Sequence, residues 1–232
     1  MTNLGESDFG PATGRQVLVR TVADCLCREN RVIEEWLARD NLALVSQLGL
    51  DPAGVAKRQA AADKAAGTSL IEKLAPYWSA VFDAPDAPVQ TPAAQIAVDL
   101  LRARWAQPSE TSTRNLSDFR LNAWVPGGLF LYGPDQAWHW QQGIRDAIPD
   151  AHVRIEHIAE VPYLGDARDV AVRWSLSGHH RGKGRYGDPT GAPLHILAVS
   201  HLRIINGRVR EEVTVWDDVA VMRQVESAWL RP

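Results

Sequence analysis

The chain has 232 residues and a mass of 25.6 kDa, with 45% hydrophobic and 23% charged residues and a formal net charge of −3. That balance excludes disorder and collagen-like repetition, and a pI near 6.2 lacks the basic footprint of a nucleic-acid binder. No apolar run approaches the ~20 residues of a membrane-spanning helix. The polar N-terminus MTNLGESDFGPATG has no signal-peptide pattern, and Cys25 and Cys27, at i and i+2, cannot pair with each other. The expectation is a cytoplasmic protein with free thiols and no nucleic-acid or membrane partner. Nine tryptophans against four phenylalanines and four tyrosines suit an apolar ligand pocket as well as a core.

Residues 1–14 read as a flexible tail ahead of one domain over 15–232. From Val17 to Leu48 the spacing of Val22, Leu26, Ile33, Trp36, Leu37 and Leu44 predicts two helices, interrupted at Asp40-Asn41 and stopped by Gly49. Asp51-Pro52 and Thr91-Pro92 each place a capping side chain before a proline, so helices follow both, near 53–66 and 93–106. Ala84 to Pro88 and Pro108 to Asn115 read as connectors. Beyond them the period changes to two. Strands are predicted at Arg120–Trp124, Leu129–Tyr132, Val153–Ile158, Val170–Ser177, Leu194–Ile205 and Val209–Trp216, with a helix from Pro134 to about Ala147. Asn206-Gly207 is a tight hairpin turn, because both central positions need positive φ. A last helix runs from Asp218 to about Leu230, with Val221, Val225 and Trp229 on one face. Helices followed by an antiparallel sheet is an α+β pattern. The strand from Leu194 is apolar on both alternating faces, so both must be covered; a strongly curved sheet with helices on one side and a pocket inside the curve satisfies this.

Gly182 to Gly187 spells GxGxxG, but Asp188-Pro189-Thr190-Gly191 follows where a dinucleotide fold needs a helix, and the basic residues His179 to Arg185 read as a solvated loop. His195 and His201 share a strand face ~20 Å apart, and no His or Cys cluster has zinc spacing, so no metal is expected. Chemistry concentrates instead at Glu211-Glu212-Val213-Thr214-Val215-Trp216-Asp217-Asp218. An acid ending an apolar strand sits at a pocket edge, where desolvation raises its pKa and makes it a usable general base. Asp217 or Asp218 also suits a helix cap. His201 is either a donor to an enolate-like oxygen or a satisfied half-buried histidine. Trp124, Tyr132, Trp174 and Trp216 line a cavity or pack in the core.

Ala147-Ile148-Pro149-Asp150-Ala151, the run Val170 to His180, Gly187-Asp188-Pro189-Thr190-Gly191, Ser200-His201-Leu202-Arg203-Ile204, Asn206 to Val209 and Glu211-Glu212 occur in an order that resembles the SnoaL-like polyketide cyclase family. The match covers about 120–228. Glu29 to Leu48 looks like the family's opening helices, and 51–118 has no counterpart in a minimal member and reads as a helical insertion. The resemblance implies the cone-shaped α+β fold of nuclear transport factor 2 and ketosteroid isomerase, in which helices wrap a bent antiparallel sheet around one pocket. It implies an intramolecular aldol closure of a polycyclic or terpenoid-like carbonyl compound, without metal or organic cofactor. Asp217 stands at the family's catalytic-acid position, with His201 and His180 as possible donors and Trp124, Tyr132, Trp174, His180 and Trp216 against a small apolar organic ligand. Val213 replaces a usual Trp and Trp216 a usual Phe, which reshapes the pocket wall. The exposed sheet face of such cones pairs with a copy of itself, so a homodimer is expected. The alternatives are a non-catalytic binding or dimerising module, or epoxide-hydrolase-like water activation, which needs an inward Arg173 or Arg203.

Overall fold

The computed structural model describes residues 1–229, Trp229 by its backbone alone. The chain opens with β1 (Thr21–Arg28) and β2 (Arg31–Arg39), then α1 (Asn41–Gln47), α2 (Pro52–Ala65), α3 (Leu70–Asp83) and α4 (Pro92–Leu101). A π-helical turn, Arg102–Ala106, continues α4, and α5 (Glu110–Leu116) follows. Then come β3 (Ser117–Val125), β4 (Leu129–Tyr132), α6 (Gly133–Ala147), β5 (His152–Pro162), β6 (Arg168–His179), β7 (Pro193–Ile205), β8 (Arg208–Val215) and α7 (Asp218–Trp229). The fold is α+β, and its centre is a curved six-stranded sheet of order β4-β3-β8-β7-β6-β5. Asn206 and Gly207, at φ 51° and 73°, make the expected hairpin between β7 and β8. Four of the five pairings are antiparallel, but β3 and β8 run parallel, which corrects the wholly antiparallel expectation. Tight turns impose antiparallel pairing only on strands that are neighbours in sequence, and these two are not.

The largest correction concerns residues 17–48. They form a β-hairpin and one short helix rather than two helices, so 29–48 does not supply a pair of opening helices. Glu29 and Asn30 turn the chain at φ 51° and 59°. Val22 pairs with Ala38 and Asp24 with Trp36, which puts these four on one face. That face lies on the outer side of the sheet, where Val22 and Ala38 pack on Val199 and Val215. Arg173 of β6 reaches up to it, with Nη1 2.7 Å from Asp24 Oδ2 and its guanidinium 3.5 Å from the centre of the Trp36 ring. The apolar spacing that suits a helix serves this sheet contact equally, and tertiary packing decides between them. Asp40 then ends the hairpin: Oδ1 accepts from Ala43 N as the cap of α1 and from Gly127 N at 2.8 Å, and Oδ2 from Gly128 N at 2.9 Å, tying the β3–β4 turn to the hairpin's end.

The helices after Asp51-Pro52 and Thr91-Pro92 form as expected, each capped by the predicted side chain. Two helices were not expected. α3 starts on the Ser69 cap, and α5, on the Ser109 cap, occupies most of the supposed connector after Pro108. The inner face of the sheet and α4 share one core, in which Ala97, Leu100 and Trp105 meet Val172, Trp174, Leu194 and Leu202. On the outer face the hairpin covers the middle, and α3 covers one end of β6 and β7. Residues 1–17 fold back along this side: Arg58 donates to Phe9 O at 2.9 Å, Gln59 to Asp8 O at 3.1 Å, and the N-terminal ammonium to Val17 O at 3.0 Å. Val221 and Val225 of α7 lie in the main core, while the side chain of Trp229 and residue Leu230 lie outside the described residues. Among the described residues no helix is long and apolar enough to cross a membrane.

Candidate active site

The loop between β6 and β7 lies flat on the C-terminal half of α6. Arg185 N donates to Gly143 O at 2.8 Å, and both Arg181 N and Gly182 N donate to Ala147 O. A Cβ on Gly182 would stand 1.8 Å from the carbonyl oxygen of Asp146, and one on Gly184 2.2 Å from that of Gly143. Gly182 and Gly184 of the GxGxxG string let the loop touch a helix backbone, and Gly187, at φ 85°, makes a turn.

That contact turns Arg185 and Tyr186 inward onto Asp218, the first residue of α7, which is completely buried. Asp218 Oδ1 accepts from Tyr186 OH at 2.7 Å and from Trp216 Nε1 at 3.0 Å. Its Oδ2 accepts from Arg185 Nε at 2.9 Å and Nη2 at 2.7 Å. Burial, with the Asp218 charge beside it, pushes the Tyr186 phenol well above its ordinary pKa, so the hydroxyl keeps its proton.

His180 opens the same loop. It is also completely buried, its Nδ1 stands 3.2 Å from Thr190 Oγ1, and its ring meets Tyr186 edge-on at 6.3 Å. Its Nε2 is buried without a hydrogen-bond partner. Burial lowers the pKa of this imidazole from its ordinary value, against the opposing pull of the Gly187 backbone beside the ring.

Beside this group, four indoles meet on the inner face. Trp216 stands 5.3 Å from Trp140 of α6 and 6.1 Å from both Trp105 and Trp174. A polar chain runs from Trp174 Nε1 to Ser200 Oγ (2.9 Å), on to Thr214 Oγ1 (2.8 Å), and from Thr214 to Glu212 Oε1 (2.7 Å). Glu212 Oε2 in turn accepts from Arg104 Nη1 at 2.5 Å, a pair with only 4% and 1% of its side chains exposed. Arg104 sits in the π-helical turn, a rare geometry that often marks functional positions. Its Nε and Nη2, together with Trp140 Nε1 and Gln141 Oε1, are buried without partners.

The residues singled out from the sequence divide between two sides of the sheet. His180, Trp174 and Trp216 belong to the inner group. Asp217 does not: its Oδ1 caps α7 by accepting from Ala220 N at 3.0 Å, and its Oδ2 accepts from Asn41 Nδ2 at 2.5 Å. It lines a cleft with Arg39, Asn41 and Arg223 beneath the N-terminal segment, and burial raises its pKa from the ordinary value. His201 is exposed on the outer face, in a groove with Ala171, Val213 and Arg203. Trp124 is half-buried against Phe130 across the β3–β4 pair, and Tyr132 is exposed on that edge. Asp217, His201, Trp124 and Tyr132 therefore do not converge. Arg173 is tied to Asp24 and Glu156, and Arg203 to Asp169 and Glu211, so neither supplies the inward arginine that water activation requires. Among the described residues no three His, Cys, Asp or Glu side chains are placed to hold a metal ion.

Tyr186, Arg185, Arg104 and Trp140 were missed, while Glu212 and Asp218 lay within the acidic run singled out from the sequence, in which Asp217 was preferred. One signal was available: period-two alternation puts Glu212, Thr214 and Trp216 on one face, and continuing it selects 218 over 217. Nothing in the sequence turns Arg185 and Tyr186 inward, and Arg104 carries no local mark at all.

Residues 116–225 match the family model described as SnoaL-like polyketide cyclase. A solved structure from Jannaschia sp. CCS1, assigned by name to the SnoaL-like polyketide cyclases, superimposes with a TM-score of 0.51 at 20% identity, covering 61% of this chain and 96% of that one. One from Acidithiobacillus ferrooxidans, assigned as a polyketide cyclase, gives a TM-score of 0.52 at 18% identity, with 61% and 99% covered. At such identities the likeness establishes the fold. No curated protein matches significantly. The family match spans the six-stranded sheet, α6 and most of α7, and leaves the β1–β2 hairpin and α3 outside it.

Proposed function

We propose that this chain, whose residues 116–225 form a domain of the SnoaL-like polyketide cyclase family, is a cofactor-independent cyclase or isomerase acting on a small polycyclic or terpenoid-like carbonyl compound. In this reading the proton acceptor is His180, and the Asp218–Tyr186–Arg185 group holds the charge and geometry around it. The observation that carries it is the buried, unpartnered Nε2 of an imidazole whose pKa burial lowers. A buried polar atom without a partner costs free energy, and such an atom on a ring packed edge-on against Tyr186 suits a reacting group better than packing.

With Nδ1–H donating to Thr190 Oγ1, Nε2 presents its lone pair. It takes the proton from the carbon beside the carbonyl, and the C–H electron pair moves onto the carbonyl oxygen as an enolate. The unpartnered Trp140 N–H is a candidate donor to that oxygen, since Trp140 packs against Trp216, whose own N–H is already given to Asp218. The imidazolium then returns its proton to another carbon, which isomerises the substrate. Alternatively, the enolate carbon attacks a second carbonyl, and the proton goes to the alkoxide formed by ring closure. Asp217, the acid favoured from the sequence, keeps a structural role here: it closes the last helix and anchors Asn41.

One observation favours a second reading, a module of the same fold that does no chemistry on its inner face. Trp174 and Trp216 are each 1% exposed and packed on one another rather than facing open space. Hydrogen–deuterium exchange separates the two without knowledge of the natural substrate. The protein is incubated with 2-tetralone or a fused-ring 1,3-diketone in D₂O, and the α-protons are followed by NMR. Catalysed exchange is expected to fall by about 100-fold or more in His180→Phe, with the melting temperature retained. Exchange no faster than in buffer while the ketone binds selects the second reading, and undiminished exchange in His180→Phe removes His180 as the base.

A further inference from the structure

The outer face of the sheet carries a different cleft. Helix α3 lies across the ends of β6 and β7, and Ile71, Leu74, Ala75 and Trp78 face Pro193 and His195 across a space of about 250 Å³. Among the described residues no Lys, Arg, Asp or Glu lines it. The polar groups in its wall are nearly all committed: Trp78 Nε1 donates to Gly178 O at 3.3 Å, and His179 Nδ1 stands 2.8 Å from Asp150 Oδ2. Gln224 accepts from His195 N at 2.7 Å and donates to His195 O at 3.0 Å. His195 Nδ1 stands 3.0 Å from Ser177 Oγ, and no hydrogen bond reaches His195 Nε2 among the described residues. Burial holds His195 far below its ordinary pKa, at about 4, so this imidazole carries no charge into the cleft at neutral pH.

We propose that this cleft is a second small-molecule site, for an uncharged compound with a one- or two-ring apolar body and a single hydroxyl that meets His195 Nε2. A hydroxyl both donates and accepts, so it suits either tautomer the Ser177 contact selects. A charged group would be buried here without a counter-ion, which excludes carboxylates and amines. Since α3 lies outside 116–225, the site draws on a segment beyond the family match, and it does not depend on the chemistry proposed for the inner face.

Calorimetric titration of the full chain with 2-naphthol, and with 2-naphthoate as the charged isostere, tests this at neutral pH. Saturable binding of 2-naphthol is expected, with 2-naphthoate at least about tenfold weaker. His195→Phe should weaken 2-naphthol by about five- to tenfold through the lost hydrogen bond. Ala75→Trp at the exposed rim should abolish binding while the melting temperature is kept. Absence of saturable 2-naphthol binding, equal affinity for naphthoate, or unchanged binding by Ala75→Trp would each overturn the proposal.

Discussion

The two faces of the central sheet bury polar groups by opposite means. The inner face takes charges into the core and pairs them: Asp218 with Arg185, and Glu212 with Arg104. The outer face ties its charges together beneath the hairpin, where Arg173 bridges Asp24 and Glu156, and leaves a neutral histidine under α3. Desolvating an ion costs several kcal/mol even after relaxation, so each inner charge needs its partner. Asp218 accepts from four donor groups, whereas Nε and Nη2 of Arg104 are left without an acceptor. Buried charge on the inner face thus goes with the reactive group we propose there, and neutrality on the outer one with the apolar guest we propose for its cleft.

The sharpest way to break this contrast is at Glu212. Glu212→Leu leaves the Arg104 charge unpaired in the core and should cost about 3–5 kcal/mol in urea unfolding, while Arg104→Met combined with Glu212→Leu should cost much less than the two singles summed. Additive losses would mean that the pair is not coupled. Next comes acid. His195 titrates at about 4 when folded against 6.5 unfolded, so the unfolded chain binds the extra proton first. Its stabilising contribution is full above pH 6.5 and is lost as pH falls toward 4, about 3 kcal/mol in all. The difference between the wild-type and His195→Gln stability curves should show this slope, and parallel curves would place the histidine in water.

A smaller effect is expected at the margin. Arg173→Ala removes the Asp24 ion pair and the Trp36 stack, costing about 1–2 kcal/mol and opening the β1–β2 hairpin to limited proteolysis before the core. The smallest is Asp217→Ala, about 1 kcal/mol for a lost helix cap. It should leave α-proton exchange unchanged where Asp218→Asn lowers it, and the reverse pattern would restore Asp217 as the reacting acid.

Much of the second half was legible in the sequence. Alternation from Val170 onward, Asn206-Gly207, and the capping pairs before Pro52 and Pro92 are local signals, and each acts over a few residues through backbone sterics or one hydrogen bond. The β1–β2 hairpin was not legible, because the same apolar spacing fits a helix until Val199, Val215 and Arg173 are there to receive it. Nor was the site legible. Arg185 and Tyr186 turn inward only because two glycines let their loop touch α6, and His180 is buried only because that loop closes over it.

Composition, turn chemistry and motif order by themselves determined the fold class and the family resemblance, since these depend on interactions between near neighbours along the chain. Which carboxylate faces inward, which histidine is left without a partner, and what covers the outer face were decided only by tertiary packing. Burial and pairing are properties of residues far apart in sequence, from Arg104 with Glu212 to Asp24 with Arg173.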